Sequence, residues 1–351
     1  MSQSADLALR DLLGRAADGR VADASLVEAA VRELVSGEAP VALAGAVLAA
    51  LRVRGESVDD VVGAARALRG CAERVSTTRS PLVDTCGTGG DGQNTFSIST
   101  AAALVAAAAG ASVAKHGNRG ATGRFGGADV LEELGVSIDL PAAACGRCLD
   151  ELGMAFLFAR RLHPAMRHLA PVRAALGIRT LFNLVGPLTN PAGVRRQVIG
   201  VPTPAALELL VGALAVLGCD HVLLIHGSDG VDEISLGAPT TFVELRDGEI
   251  VGRGTLSAEG LGLDSAPRDS LVVADVAASA ERIRAVLAGA PGPSADVVVA
   301  NAAAALYVAG QADSLRAGVE RAREAIISGR AREVLARLVR VTQREALATA
   351  G

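Results

Sequence analysis

Pro81-Leu-Val-Asp-Thr85 runs through Cys86 into Gly87-Thr-Gly-Gly-Asp-Gly92, and Ser97–Ala109 follows as an alanine-rich apolar block stopped by Gly110. A short strand, a glycine loop and a buried helix in that order make the opening unit of an α/β fold. Working outward, Ala111–Ala114 reads as a second strand. Helices at Ala128–Leu134 and Ala142–Leu152 then alternate with strands at Val136–Asp139 and Ala155–Phe158. A later round places strands at Val198–Val201 and Val222–His226 around a helix at Ala205–Leu217. Alternation of this kind predicts a mostly parallel sheet flanked by helices. Thr241–Leu245 and Ile250–Arg253, joined by Arg246-Asp-Gly-Glu249, read as a hairpin with an Asp-Gly turn. From Ala277 onward the pattern is helical.

Residues 1 to about 75 read as helices only. Asp23 caps a helix that runs to Ser36-Gly37, Pro40 opens one that ends at Arg54-Gly55, and Ser57-Val-Asp-Asp60 places acids in the first turn of a third. The fold class expected is therefore α/β. A small N-terminal all-helical domain precedes a larger α/β domain with a mostly parallel central sheet.

The chain has 351 residues, half of them apolar and 2% aromatic, with a net charge of −4. That composition supplies one large or two modest cores and argues against disorder. A net negative charge without a basic tail argues against a general nucleic-acid binder. Ala101–Ala111 is too short to cross a bilayer, which takes about 20 apolar residues. The opening MSQSADLALR carries no basic stretch followed by an apolar block, so no secretory signal is read and a cytoplasmic location is expected. Five cysteines, an odd number, fit a reducing compartment without a disulfide framework. Cys145-Gly-Arg-Cys148 lacks a second pair to complete a zinc site and reads as incidental to a helix. Lys115 is the single lysine among 34 basic residues, so this position resists the replacement by arginine seen elsewhere. Asparagine is equally rare, at Asn94, Asn118, Asn183, Asn190 and Asn301.

Four segments carry chemistry. The glycines of Gly87–Gly92 let backbone N–H groups approach an anion at a helix start. The loop also matches the dinucleotide fingerprint, but no Asp or Glu lies between Asp91 and Asp129 to bind a ribose; instead Lys115, Arg119 and Arg124 give that window a charge of +3. A polyphosphate suits it better. Lys115-His-Gly-Asn-Arg119 follows the second strand at its carboxyl end, where open α/β sheets bind ligands. Asp232 and Glu233, with Asp229 nearby, are adjacent carboxylates that sit well beside a polyphosphate only with a cation between them, which suggests Mg²⁺. Ser99 or Thr100 can offer a hydroxyl to a second ion. Finally, Arg173 can clamp a carboxylate bidentately, with Arg167 and Arg179 equally placed by spacing.

Taken together, these residues resemble the anthranilate phosphoribosyltransferase family over nearly the whole length. The resemblance rests on Gly87-Thr-Gly-Gly-Asp91, Asn94-Thr95, Ile98-Ser-Thr100, Lys115-His-Gly-Asn-Arg119, Ala128-Asp-Val-Leu-Glu132, His163-Pro-Ala-Met166, Leu176-Gly-Ile-Arg-Thr180, Asn183-Leu-Val-Gly-Pro-Leu-Thr-Asn-Pro191, Asp232-Glu233 and Asn301-Ala-Ala-Ala-Ala-Leu-Tyr307. It implies transfer of the phosphoribosyl group of 5-phosphoribosyl 1-diphosphate to the amino group of anthranilate, in tryptophan biosynthesis. It implies a helical domain at 1–75, joined by helices from about 165–190, a catalytic α/β domain at 80–165 and 191–351, and a homodimer formed through the helical part. Lys115, His116, Asp232 and Glu233 would be catalytic. Gly87, Gly90, Asp91 and Thr95 would hold the diphosphate, with Ser97, Ile98, Ser99, Thr100, Lys115, His116, Gly117, Asn118, Arg119, Gly120, Ala121, Thr122, Gly123 and Gly127 around the donor. Ser99 would ligate one Mg²⁺, and Asp232 with Glu233 the other. Anthranilate would meet Gly87, His116, Asn118, His163 and Arg173. The family usually shows Asn where this chain has Ser97, and serines where it has Phe125 and Gly127.

Two rival readings differ in what they require. A pyrimidine nucleoside phosphorylase of the same architecture carries a further C-terminal domain, for which no segment is read here. A non-enzymatic nucleic-acid-binding relative needs a basic surface and no acidic pair. No nucleic-acid or membrane partner is expected.

Overall fold

The computed structural model describes residues 6–120 and 125–350. It begins with four helices, α1 (Leu7–Ala17), α2 (Ala24–Ser36), α3 (Val41–Arg54) and α4 (Val58–Cys71). Their ends follow local chemistry. Asp23 accepts from the N–H groups of Ser25 and Leu26 at 3.0 Å, and Gly37 ends α2 in the left-handed region at φ 87°. Ser57 and Asp60 form a reciprocal capping box at the start of α4. Asp60 is fully buried because it also meets the guanidinium of Arg54, whose side chain is 5% exposed.

The sheet begins with β1 (Leu82–Asp84), and α5 (Ile98–Ala108), β2 (Ser112–Gly117), α6 (Gly127–Glu133), α7 (Ala142–Leu152), β3 (Met154–Phe158) and α8 (Ala159–Leu162) follow. A 3₁₀ turn at Pro164–His168, α9 (Ala170–Leu176) and two more turns, Leu181–Asn183 and Gly186–Thr189, lead to β4 (Arg196–Gly200). Next come α10 (Pro204–Leu217), β5 (His221–Gly227), β6 (Thr240–Arg246) and β7 (Glu249–Leu256). The chain closes with α11 (Val276–Leu287), α12 (Pro293–Val308), α13 (Leu315–Ile327) and α14 (Arg330–Ala350).

Seven strands form one sheet in the order β3-β2-β1-β4-β5-β6-β7. Pairings from β3 to β5 are parallel, and β6 and β7 add an antiparallel hairpin whose turn residues Asp247 and Gly248 both have positive φ. Every residue of β5 is buried and the faces alternate: Leu223 and Ile225 join the core with α5 and α12, while Val222 and Leu224 join the core with α10. Both faces are therefore covered, as a parallel sheet requires. The second core does not stop at α10. It runs on through α1–α4 and takes in Leu169, Val172, Leu181, Phe182, Val185 and Leu188.

Two expectations are corrected. Val136–Asp139 is not a strand. Val136 and Ile138 are buried, but the Ser137 N–H donates to Thr342 Oγ1 of α14 at 3.1 Å rather than to another strand. β2 does not stop at Ala114 but runs to Gly117, because β3 supplies parallel partners for Lys115, His116 and Gly117.

Candidate active site

β1 and β4 lie side by side, and the chain leaves them in opposite directions along the sheet, so the crevice beyond their carboxyl ends is the natural place for a ligand. A cavity of about 950 Å³ opens there. The loop after β1 borders it and bonds to the end of β4, with Thr88 N–H donating to the Gly200 carbonyl at 2.9 Å. Glycine is required at two of these contacts. A Cβ on Gly87 would stand 3.0 Å from the Gly200 oxygen and 3.2 Å from Asp232 Oδ2, and one on Gly200 would stand 1.6 Å from the Asp232 carbonyl oxygen. Sequence reading passed over Gly200, which sits in an ordinary strand pattern.

The cavity brings together most of the residues expected there. Gly87, Gly90, Asp91, Thr95, Ser97, Ile98, Ser99, Lys115, His116, Gly117, Asn118, Arg119, Gly120, Gly127, His163, Arg173, Asp232 and Glu233 all border it. Thr100 does not: its side chain is fully buried and its hydroxyl is 2.8 Å from Ser97 Oγ. Gly127 faces the same two groups, since a Cβ there would lie 3.0 Å from Thr100 Oγ1 and 3.9 Å from Ser97 Oγ. The two departures at 97 and 127 thus both adjoin Thr100. Ala121, Thr122 and Gly123 lie outside the described residues.

Lys115 is not the free point charge that its sequence suggests. Its ammonium is buried, 3.2 Å from the carbonyl oxygen and hydroxyl of Thr85 and 3.3 Å from Ser99 Oγ, tying β1 to the first turn of α5. Arg119 is also paired, with Asp129 at 2.8 Å and with Glu132, acids just beyond the positive window; Arg124 lies outside the described residues. Below Lys115 lies a polar support that the sequence reading missed. Fully buried Asp84 accepts from the His116 N–H at 3.1 Å and from Asn190 Nδ2 at 2.8 Å. Burial pushes its carboxyl up to about 6 against the opposing pull of Lys115.

Asp91 of the glycine loop meets two further carboxylates, Asp232 and Glu233. Asp232 and Glu233 border the cavity. Burial raises both acids, Asp232 further through its neighbour Asp91 and Glu233 through Asp232. Glu233 Oε1 accepts from Ser99 N–H at 3.0 Å, which places the Ser99 backbone beside the acidic pair. Hard oxygen donors that repel one another fit a divalent cation. Among the described residues no three His, Cys, Asp or Glu side chains stand close enough to cage one alone. Phosphate oxygens and water must therefore complete any such shell.

The opposite wall carries two imidazoles and Arg173. His116 and His163 lie with ring centroids 5.2 Å apart, both buried. His116 Nδ1 donates to the Gly186 carbonyl at 3.1 Å, which leaves Nε2 as an unpartnered acceptor; His163 Nε2 is unpartnered as well. Burial pulls the His116 imidazole down to about 3 and the His163 imidazole down to about 4. Arg173 has no carboxylate partner among the described residues. It stands 3.4 Å from Asn183 Oδ1 and over the Phe182 ring, with burial lowering its pKa. Arg179, equally placed by spacing, instead reaches the back of the glycine loop. Cys145 and Cys148 are buried in a separate small core, where burial pushes both thiols up to about 12 and disfavours the reactive thiolate.

Comparison with known proteins agrees with this geometry. Residues 79–332 match the glycosyl transferase family a/b domain, and residues 10–72 match the helical bundle domain of the same family. The anthranilate phosphoribosyltransferase of Symbiobacterium thermophilum is 48% identical over 336 residues, covering 96% of this chain and 98% of that protein. The crystal structure of the enzyme of that name from Thermus thermophilus superposes with a TM-score of 0.88 at 43% identity, over 95% of this chain and 99% of that one. A Saccharomyces cerevisiae anthranilate phosphoribosyltransferase solved in complex with PRPP and Mg shares the fold, with a TM-score of 0.87 at 24% identity over 96% of this chain and 98% of that one. The chain belongs to the anthranilate phosphoribosyltransferase family.

Proposed function

We propose the following division of labour for this family's reaction, transfer of the phosphoribosyl group of 5-phosphoribosyl 1-diphosphate to the amino group of anthranilate in tryptophan biosynthesis. The observation that carries it is the meeting of a glycine loop, three mutually repelling carboxylates and an unpaired arginine around one cavity. Backbone N–H groups at Gly87, Gly90, Asp91 and Thr95 bind the diphosphate. Lys115 fixes the carboxyl end of β1 against the first turn of α5 and keeps a positive charge behind that loop.

Ser99, Asp232 and Glu233 are the residues that would hold magnesium, with two ions per site. Bound there, magnesium supplies neutralisation of the charge that develops on the departing diphosphate. Arg173 pairs with the carboxylate of anthranilate, and Asn118 borders the same cavity. The Nε2 lone pairs of His116 and His163 accept the amine's N–H bonds and turn its own lone pair toward the sugar carbon. Neither imidazole is basic enough to remove a proton early, so the amine sheds its proton after the new bond forms, to His116 Nε2 or to a water, once the nitrogen has become strongly acidic. An aryl amine is a modest nucleophile, and holding it in place while the leaving group is stabilised accounts for the rate.

The same reading includes a cytoplasmic homodimer formed through the helical domain. Supporting it, Leu7 on α1 and Val41 and Val53 on α3 are exposed at 62%, 72% and 87%. No described helix is long and apolar enough to cross a membrane.

The test is loss of anthranilate fluorescence with phosphoribosyl diphosphate, with and without Mg²⁺. No loss in either case overturns the assignment, and equal rates with and without the metal overturn the cation site.

A further inference from the structure

Leu176-Gly-Ile-Arg-Thr180 links α9 to the 3₁₀ turn at Leu181–Asn183, with Gly177 in the left-handed region at φ 62°. It is built into the wall that carries Arg173, yet its arginine does not border the cavity. Arg179 Nη1 instead donates to two successive carbonyl groups of the glycine loop, Gly89 at 2.9 Å and Gly90 at 3.0 Å. Its Nη2 is buried without a partner, so the loop carbonyls are the anchor of this guanidinium. Glu56, whose side chain is only 8% exposed, and Arg52, both at the end of α3, lie within electrostatic reach on the helical side, with Asp91 and Asp232 on the other.

Two properties of the peptide chain turn this contact into a device. In a trans peptide the C=O and the following N–H point in opposite directions. Holding the carbonyls of Gly89 and Gly90 toward Arg179 therefore turns the N–H groups of Gly90 and Asp91 away from it, to the side facing the cavity those residues border. Gly89 and Gly90 both have positive φ, at 65° and 74°, and glycines reach many other conformations at little cost. Without the clamp these peptides are free to rotate and their N–H groups lose their common aim.

We infer that Arg179 is a positioning residue for the diphosphate of the donor. It acts from behind the loop by aiming N–H groups it does not itself extend. This rests on the assignment of the glycine loop to the diphosphate. It also separates two arginines three positions either side of Leu176 in function: Arg173 serves the acceptor and Arg179 the donor.

The test uses full-length Arg179→Gln and Arg179→Lys. Steady-state KM values for phosphoribosyl diphosphate and anthranilate are measured alongside kcat. Calorimetric affinity for inorganic diphosphate with Mg²⁺ gives a readout independent of turnover. Arg179→Gln is expected to raise the donor KM and the diphosphate Kd by about 10- to 100-fold, the range for losing a charge-assisted hydrogen bond. The anthranilate KM should stay within about twofold. Arg179→Lys, which restores one cationic donor in place of a guanidinium that spans two carbonyls, should recover about half of the loss on a logarithmic scale and leave a donor-confined rise. An unchanged diphosphate Kd in Arg179→Gln overturns the inference, as does an equal rise in both KM values. Should the Gln variant unfold, the Lys variant decides alone: a rise confined to the donor supports the inference, and no rise or a parallel rise overturns it. Failure of the wild-type protein to bind diphosphate at all would instead overturn the assignment of the loop.

Discussion

The ammonium of Lys115 stands 3.3 Å from the hydroxyl of Ser99, so the chain's single lysine joins the end of one strand to the start of the helix beside it. A buried ammonium with three short oxygen contacts does local structural work and projects charge into the cavity at once. Both roles depend on a compact cation.

Lys115→Ala is expected to lower kcat by at least about 10²-fold, the range for lost electrostatic stabilisation. Lys115→Arg should not restore it, because a planar fork does not fit a site that is 4% exposed. Asp232→Asn should cost a similar factor. Steady-state rates at saturating substrates and Mg²⁺ check all three; near-normal rates for Lys115→Ala and Asp232→Asn would contradict the site.

Arg173→Ala should mainly raise the KM for anthranilate, by about 10-fold or more, since the proposed bidentate pair with the substrate carboxylate would be lost. The donor KM should change little. If the anthranilate KM does not move, the carboxylate is held elsewhere in the cavity.

The paired imidazoles give a pH dependence of stability with a definite sign. Their folded pKa values, about 3 for His116 and about 4 for His163, lie below the ordinary 6.5. The unfolded chain therefore binds more protons than the folded one below pH 6.5, and stability falls as pH drops through that window. Asp84, raised to about 6 from 3.8, acts in the opposite sense: its burial disfavours the folded state above pH 6 and ceases to do so as it is protonated. Urea titrations from pH 4 to 6.5 should show a shallower slope in His163→Gln than in the wild type, by on the order of 1 kcal/mol per pH unit. Parallel slopes would mean that His163 is protonated in the folded protein.

Asp60→Ala should destabilise the chain by about 3 kcal/mol, because it leaves the buried guanidinium of Arg54 with only the Arg20 and Gly55 carbonyls and removes the capping box of α4. Chemical denaturation reads this directly, and a loss under about 1 kcal/mol would show that those two carbonyls suffice for Arg54.

The strand, glycine loop and helix at 81–109 were legible because each obeys a local rule: apolar run, glycines at positive φ, alanine-rich block. Val136–Asp139 misled for a physical reason. Alternating burial at Val136 and Ile138 arises against α14, not against a strand, and periodicity does not name the partner. Asp84 and Asn190 were invisible as site residues because their roles depend on contacts across 106 positions of chain. Yet the scarcity of asparagine carried a trace of them. Asn190 spans Asp84 Oδ2 and the Ala114 carbonyl at 2.8 Å each, and Asn301 bonds to both the N–H and the carbonyl of Ile234, arrangements that few other side chains can make. The paired state of Arg119 and the reach of Arg179 to the loop belong to tertiary geometry, and residue spacing holds no information about either.

The apolar cluster that runs from β4, β5 and α10 into the four opening helices also decides what a scalpel can do to this molecule. Severing the chain near residue 75 would strip the greasy cover from Leu207, Leu210 and Leu214 and unseat the wall bearing Phe182 and Arg173. The piece left behind would inherit the phosphate-facing half of the pocket as a sticky, acceptor-blind remnant.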